Sequence, residues 1–316
     1  MTNIPVNETW LSIVIPTYNR RGIVRRAIDS CFRDSVPGYE VIVVDDGSTD
    51  GTSEILRQYR TERLRTIRLD RNGGVSEARM AGVETARGKW VLFLDSDDEL
   101  TLAGLSILHA GCQDAASDIG RLAYMYVHDD GKVSPQPWTP GVIMDYRMYL
   151  EWSERVADSD LGNCIRRSTF AAIQFPRGRA YESIYHLDFA KAFKTLCCGD
   201  VIIRMHADAH DRLTKTSVDS LYHRLLDEAE ARMQSMHDVM VRHGEALRRH
   251  APKRAQMFSR ALISGALMAG HRRIALRGFL DHLRRHPRSY NVWGVTAVGL
   301  LSRRALAWAI AMRHDT

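Results

Sequence analysis

Three short apolar runs, each closed by a polar loop, constrain this chain more than any other feature. Residues 11–15 (LSIVI), 40–44 (EVIVV) and 90–94 (WVLFL) are rich in β-branched and aromatic residues. Runs of this length read as strands buried on both faces. Pro16 ends the first, Asp45-Asp46-Gly47-Ser48 follows the second, and Asp95-Ser96-Asp97-Asp98 closes the third. Between them lie stretches with helical spacing. In residues 21–33 the apolar positions are Ile23, Val24, Ala27, Ile28 and Cys31, which fall on one helical face. Residues 53–60 and 76–86 predict two more helices, residues 65–69 and 121–128 two more strands, and Thr101 a cap for the next helix. Such alternation predicts an α/β fold with a mostly parallel, Rossmann-like sheet and helices on both faces. Ligands of such sheets bind outside the carboxyl ends of the strands. There the chain puts Pro16–Asn19, Asp45–Asp46 and Asp95–Asp98.

The alternation weakens beyond residue 128. Residues 130–141 hold three prolines and two glycines and predict a loop. From Leu221 onward apolar residues recur three or four apart with Arg and His between them, predicting a helical C-terminal extension. The expected division is an α/β domain over 1–218, with the regular strand–helix alternation and its ligand edge in 10–130 and a less regular part in 131–218, followed by a basic helical region over 219–316. A length of 316 residues fits one domain with an extension, or two domains. Hydrophobic residues make up 45% and charged residues 26%, which argues against a largely disordered chain.

Charge is unevenly spread. The chain carries +6 overall, while residues 221–316 hold 17 Lys/Arg and 7 Asp/Glu, or +10. Residues 272–313 alternate arginine pairs with Trp293, Trp308 and aliphatic residues. That pattern suits peripheral contact with an anionic membrane, or a helical subdomain with solvated arginines. No zinc-ligand spacing or RNA-binding aromatic signature accompanies it, so no nucleic acid partner is expected. The N-terminus lacks a signal-peptide pattern, and no apolar run reaches the ~20 residues needed to span a bilayer. The five cysteines form no C-x-x-C pair. The expectation is a cytoplasmic protein with reduced thiols, peripheral on the inner face of the membrane if the tail binds lipid.

Carboxylates gathered at the mouth of a sheet repel one another unless a cation sits among them. Mg²⁺ and Mn²⁺ prefer oxygen ligands and bridge readily to phosphates. Asp95-Ser96-Asp97 after an apolar strand therefore suggests metal–phosphate chemistry, although a solvated turn accounts for the same residues.

Taken together, strand–PTYNR, strand–VVDDGSTDGT, RNGG…ARMAG and strand–LDSDDEL resemble glycosyltransferase family 2, with the GT-A fold, over roughly residues 10–105. The resemblance implies an inverting transfer of a sugar from a nucleotide diphosphate sugar to an acceptor hydroxyl, assisted by Mn²⁺ or Mg²⁺. It implies that Pro16, Thr17 and Tyr18 contact the nucleotide, and that Asp45 or Asp46 accepts a hydrogen bond from the base. A carboxylate there suits uracil, thymine or guanine, with UDP as the default. Asn72, Gly73 and Arg79 match the segment near ribose and phosphates. Asp95, with Ser96, matches the ribose side of the D-x-D motif, Asp97 the metal ligand, and Asp98 a supporting or helix-start carboxylate.

Family members also carry an acidic pair opening a helix some 80–100 residues later. Here Glu182 falls in place as the base, but Ser183 stands where Asp is common, and serine is no base at neutral pH. Asp188 is the alternative. A histidine after that helix often completes the metal shell, and His210 fits better than His206; Arg212 and Lys215 follow as diphosphate contacts. The acceptor is a glycan, a lipid-linked sugar or a small molecule. The rival readings are a non-catalytic nucleotide-sugar binder that has lost its base, and an aspartyl phosphotransferase. The second is disfavoured because its D-x-D loop follows the first strand. A dinucleotide oxidoreductase is disfavoured because no G-x-G-x-x-G opens the first helix.

Overall fold

The computed structural model describes residues 9–156, 161–176, 182–208 and 217–313. They divide into two compact units. The first comprises residues 1–149, 158–179 and 188–209; the second comprises 150–157, 180–187 and 210–316.

The first unit is built on one sheet. Its strands are β1 (Leu11–Thr17), β2 (Tyr39–Asp45), β3 (Leu64–Arg68), β4 (Trp90–Phe93), β5 (Glu99–Leu100), β6 (Ile119–His128), β7 (Val133–Ser134), β8 (Ile143–Met144), β9 (Gly162–Arg166) and β10 (Lys194–Met205). The strand order is β3-β2-β1-β4-β9-β6-β10-β5, with β7 beside β6 and β8 beside β10. The helices along the chain are α1 (Val24–Ser30), α2 (Thr52–Leu56), α3 (Val75–Thr85), α4 (Gly104–Asp114), α5 (Tyr146–Arg155), α6 (Thr169–Ala172) and α7 (Ser183–Ala192).

β1 and β2 are buried along their whole length, as apolar runs flanked by helices on both sides should be. Alternate residues serve the two faces. Ile13, Ile15, Val41 and Val43 pack with Val24, Ala27 and Ile28 of α1 and Leu105 and Leu108 of α4. Val14, Ile42 and Val44 pack with Ala78 and Val83 of α3. The α/β expectation with helices on both faces is met.

β3, β2, β1 and β4 pair in parallel. The sheet as a whole is mixed, because β9 runs antiparallel between β4 and β6. Nothing in Gly162-Asn-Cys-Ile-Arg166 marks it as central: it is five residues long, opens on glycine and asparagine and ends on arginine. Thr101 does not cap α4. Ala103 stands at the N-cap, and the Thr101 hydroxyl instead donates to the carbonyl of Val201, 3.1 Å away, which fastens the end of β5 to β10.

A buried polar network sits at the amino end of β1 and β2. Oε1 of Glu40 accepts from the Ser12 hydroxyl and the Arg87 amide, both at 2.7 Å, and Oε2 accepts from Arg65 at 2.8 Å. The Gly88 amide completes it on Ser12 Oγ at 2.9 Å. A charge buried between strands is tolerated because every oxygen is engaged.

The second unit holds α8 (Val218–Asp227), α9 (Ala229–His250), α10 (Pro252–Ala269), α11 (Arg272–Arg285), α12 (Tyr290–Leu301) and α13 (Arg303–Arg313). α10 packs against the other five helices, and buries Phe258, Leu262, Ile263, Ala266 and Leu267. Pro252 opens α10, and Glu154 accepts from the Lys253 and Arg254 amides at 2.9 and 3.1 Å, satisfying donors that the first helical turn leaves unpaired. Among the described residues, no helix is long and apolar enough to cross a membrane.

One packing contact makes a direct test. A Cβ added at Gly82 in α3 would lie 2.3 Å from Val14 Cγ1, so the helix approaches β1 to a distance that only glycine permits. Gly82→Ala should lower stability by about 1–3 kcal/mol in urea denaturation. Gly22→Ala, which would meet nothing within 4 Å, should change it by less than about 0.5 kcal/mol.

Candidate active site

β1 lies between β2 and β4, parallel to both, so the three strands end at one edge. Thr17 pairs with Asp45 and Val14 with Phe93, which places Thr17–Asn19, Asp45–Asp46 and Asp95–Asp98 beside one another. The strand order also reverses at β1: β2 and β3 build outward on one side and β4 returns to the other. This is the switch point at which open α/β sheets bind ligands.

Hydrogen bonds stitch the first two loops together. The Asn19 amide donates to Ser48 Oγ at 2.9 Å, the Thr49 amide to Asn19 Oδ1 at 2.8 Å, and the Arg20 amide to Thr52 Oγ1 at 2.9 Å. The Asp46 amide donates to the Thr17 carbonyl at 2.8 Å. Asn19 adopts φ +51°, a left-handed conformation that asparagine tolerates better than most residues. Pro16 and Thr17 are buried, Tyr18 is exposed, and the Thr17 hydroxyl has no hydrogen-bond partner.

The two aspartates of the second loop have different environments. Asp45 is fully buried. Its Oδ1 accepts from the Ser48 amide at 2.9 Å, and its Oδ2 accepts from Arg68 at 2.7 Å and from the Ser53 hydroxyl. Asp46 takes one backbone amide on each oxygen, from Gly73 and Gly74, both at 2.8 Å. Burial pushes the Asp46 carboxyl above its ordinary range, and the two amides pull partly the other way. Asp46 thereby ties the second loop to the Asn72-Gly73-Gly74 turn that opens α3. Gly47, at φ +74°, allows the approach: a Cβ there would stand 2.9–3.0 Å from the backbone of Arg71 and Asn72.

Arg79 projects from the first turns of α3. It donates to Asp95 Oδ1 at 2.9 Å and stacks over the Phe93 ring at 5.3 Å. Asp95 keeps 47% of its side chain exposed. Ser96 is buried and Asp97 half-buried. Asp98 is buried in a turn closed by its own amide on the Asp95 carbonyl at 3.1 Å. No helix starts at Asp98; β5 follows at once.

Further residues meet at this edge through pairing that the sequence does not show. β5 pairs with the end of β10, matching Glu99 with Arg204. This brings His206 between two carboxylates: Nδ1 lies 3.0 Å from Asp129 Oδ1, and Nε2 lies 3.2 Å from Glu99 Oε1. The His206 amide donates to Asp98 at 3.3 Å. Arg26 of α1 donates to the Asp97 carbonyl and grips both oxygens of Asp208, at 2.7 and 3.0 Å. That ion pair holds the Asp208 carboxyl below its ordinary range. The only sequence signal for Arg26 is a charge inside an amphipathic helix.

Asp95 and Asp97 supply hard carboxylate oxygens suited to Mg²⁺ or Mn²⁺. Among the described residues no group of three His, Cys, Asp or Glu could hold a metal by itself. His210, Arg212 and Lys215 lie outside the described residues.

The expected acceptor-side residues open or ride α7. Glu182 immediately precedes the helix in the second unit; its carbonyl accepts from the His186 amide at 3.1 Å, and its carboxylate lies 3.8 Å from His186 Nε2. Asp188, in the first unit, lies near Tyr146. Burial first, and then the Asp188 charge, push the Tyr146 hydroxyl up to about 12.

Part of the chain is similar to known proteins. Residues 12–143 match the model of a family described as glycosyl transferase family 2. A putative teichuronic acid biosynthesis glycosyltransferase of Bacillus subtilis, TuaG, is 43% identical over 91 residues, 28% of this chain and 36% of TuaG. The succinoglycan biosynthesis protein ExoO of Rhizobium meliloti is 42% identical over 88 residues, 28% of this chain and 25% of ExoO. The chain thus spans about a quarter to a third of these curated relatives. Among solved structures, S. aureus TarS 1–349 in complex with UDP-GlcNAc aligns with a TM-score of 0.56 and 19% identity, over 89% of this chain and 93% of that one. A mannosyltransferase from Pyrobaculum calidifontis in complex with GDP-Man and Mn²⁺ aligns with a TM-score of 0.53 and 17% identity, over 98% and 88%. At that identity the likeness establishes the fold.

The Asp46 clamp is testable without any ligand. Asp46→Ala should leave the Gly73 and Gly74 amides without an acceptor. Their hydrogen exchange should accelerate at least about tenfold, as expected for losing a bond worth ~1.5 kcal/mol, while amides of β1 keep their protection.

Proposed function

We propose, from the match of residues 12–143 to the family described as glycosyl transferase family 2, that the protein belongs to that family and transfers a sugar from a nucleotide diphosphate sugar to an acceptor hydroxyl. The observation that carries this reading is the convergence of three strand ends at the switch point, where the Asp46 clamp and the Arg79–Asp95 pair line one edge. UDP is the default nucleotide, and a glycan, a lipid-linked sugar or a small molecule the acceptor.

Roles follow from the chemistry of each group. Pro16, Thr17 and Tyr18 form the wall against which the base lies, and Asn72 and Gly73 the turn near the ribose. A carboxylate offers about four lone-pair positions. Asp45 commits three of them, one to a guanidinium, whereas Asp46 commits two. Asp46 is therefore the better acceptor for a ring N–H. Arg79, with Asp95 and Ser96 alongside, orients the ribose and diphosphate. Asp97 would hold the divalent cation, with His210 as its second protein ligand on the family resemblance alone. The bound ion would supply positive charge against a departing diphosphate. Glu182 takes the proton from the acceptor hydroxyl, which attacks the anomeric carbon opposite the leaving group. One displacement inverts the configuration and needs no covalent sugar–enzyme intermediate. Asp188 is the alternative base.

Calorimetric titration with UDP, GDP and dTDP, each with Mn²⁺ and with EDTA, should show metal-dependent binding of one diphosphate. Absence of binding to all three by folded protein would overturn the donor-site reading. Asp97→Ala should abolish the metal-dependent part. Glu182→Gln should keep diphosphate binding and lose turnover by about 10²–10⁴-fold. If Asp188→Asn does so instead, the base is Asp188; if neither variant changes activity, the base assignment is wrong.

A further inference from the structure

α12 is apolar on both faces, and only one of them is covered. Val292, Thr296 and Gly299 are buried; a Cβ at Gly299 would stand 2.7 Å from Leu267 of α10 and 2.8 Å from Leu306 of α13. This inner face is seated closely on the helical unit. The outer face presents Tyr290 (76% exposed), Trp293 (52%), Ala297, Val298 and Leu301 (87%). Their spacing of three, four, one and three keeps them on one side of the helix. Trp308 and Met312 of α13 and Leu276 and Leu280 of α11 are also exposed. A helix apolar all round is normally covered on both sides, and a contiguous exposed apolar surface marks an interaction site.

Charge identifies what covers it. Residues 272–313 contain nine arginines, no lysine and one acid, Asp281. Arg272, Arg273, Arg277, Arg284, Arg285, Arg288, Arg303 and Arg304 are all exposed. Arg272 donates to the Leu300 carbonyl at 3.2 Å, which holds a guanidinium next to the most exposed apolar residue of the face. Arg288 precedes Tyr290 at the other end. Bulky apolar side chains rimmed by arginine, with tryptophan and tyrosine among them, suit the boundary between lipid headgroups and acyl chains. A second copy docking by this face would set arginine against arginine across a two-fold axis. At 12 residues, α12 is about 18 Å long, too short to cross a bilayer and sufficient to lie in its plane.

We propose that α12, with the arginines of α11 and α13 around it, docks the second unit on an anionic bilayer, with Tyr290, Trp293 and Leu301 entering the interface. The surface lies wholly within one unit, and its test needs no nucleotide, so it stands or falls separately from the donor-site reading.

Full-length protein should co-sediment with vesicles of phosphatidylcholine containing about 30% phosphatidylglycerol, and at least ~10-fold less with phosphatidylcholine alone, the difference shrinking at high salt. Trp293→Ser with Leu301→Ser should weaken binding about tenfold or more, and so should Arg303→Gln with Arg304→Gln. Val241→Ser, on the exposed side of α9, should bind like the wild type. Leu301, Arg303, Arg304 and Val241 are exposed, and Trp293 is half-exposed with its ring edge-on to Phe279 at 4.9 Å; circular dichroism spectra should coincide for all variants. Equal recovery with neutral and anionic vesicles, or no recovery with either, would overturn the proposal. Wild-type binding by the Trp293/Leu301 variant would do the same. Sedimentation velocity covers the remaining occupant: lipid-free self-association that the same double substitution abolishes would assign the face to a second copy.

Discussion

β1 is the strand on which the rest of the first unit depends. It hydrogen-bonds in parallel to a neighbour on each side, is buried from Leu11 to Thr17, and takes helices on both faces. A parallel neighbour cannot be reached by a tight turn, so each crossover carries a helix. The parallel direction also brings the carboxyl ends of β1, β2 and β4 to one edge. The candidate site is a consequence of that pairing: three loops remote in sequence are adjacent because their strands are.

Close backbone approach then sets the loops in place. Gly47 lets the loop after β2 rest on Arg71 and Asn72, and the Asp46 carboxylate closes the gap through two amides. Gly82 lets α3 descend onto Val14, which fixes where Arg79 emerges and hence its reach to Asp95. On the far side, the β5–β10 pairing and the Arg26–Asp208 bridge brace the turn that carries Asp97. Both sides of the acidic edge are thus held before any ligand arrives, an arrangement that lowers the cost of ordering the site on binding.

The second unit follows helical rules. α10 packs against its five neighbours and leaves an outer surface of arginine and exposed aromatic residues. The contrast with the first unit is chemical. One presents carboxylates gathered at a strand edge, suited to a cation and phosphates; the other presents guanidinium groups around an apolar face, suited to an anionic layer.

The local order of the first hundred residues was legible in the sequence because buried strands and amphipathic helices have different apolar periods. β1 to β4 and α3 lie within about two residues of their expected bounds. The acidic strand ends were legible too, since polar groups that close an apolar run have to leave the core. α2 was expected over 53–60 but covers Thr52–Leu56, because beyond it the α-helical bonds give way to tighter i→i+3 turn bonds, from the Gln58 amide to Ile55 and the Tyr59 amide to Leu56. β9 was not legible: five residues that open on glycine and end on arginine carry no clear period, and only pairing between β4 and β6 makes them a strand. The partners of the site were equally hidden. Asp45 and Asp46 are identical in sequence, and tertiary structure distinguishes them by giving one a guanidinium and the other two backbone amides. Arg26 and Asp129 carry no motif, and neither the LDSDDEL block that holds Glu99 nor the chain order that drew attention to His206 says that the two residues meet, because that depends on strand order and register. Residue type and local spacing determined which segments form strands and which polar groups must leave the core; the packing of distant segments decided which of those groups face one another.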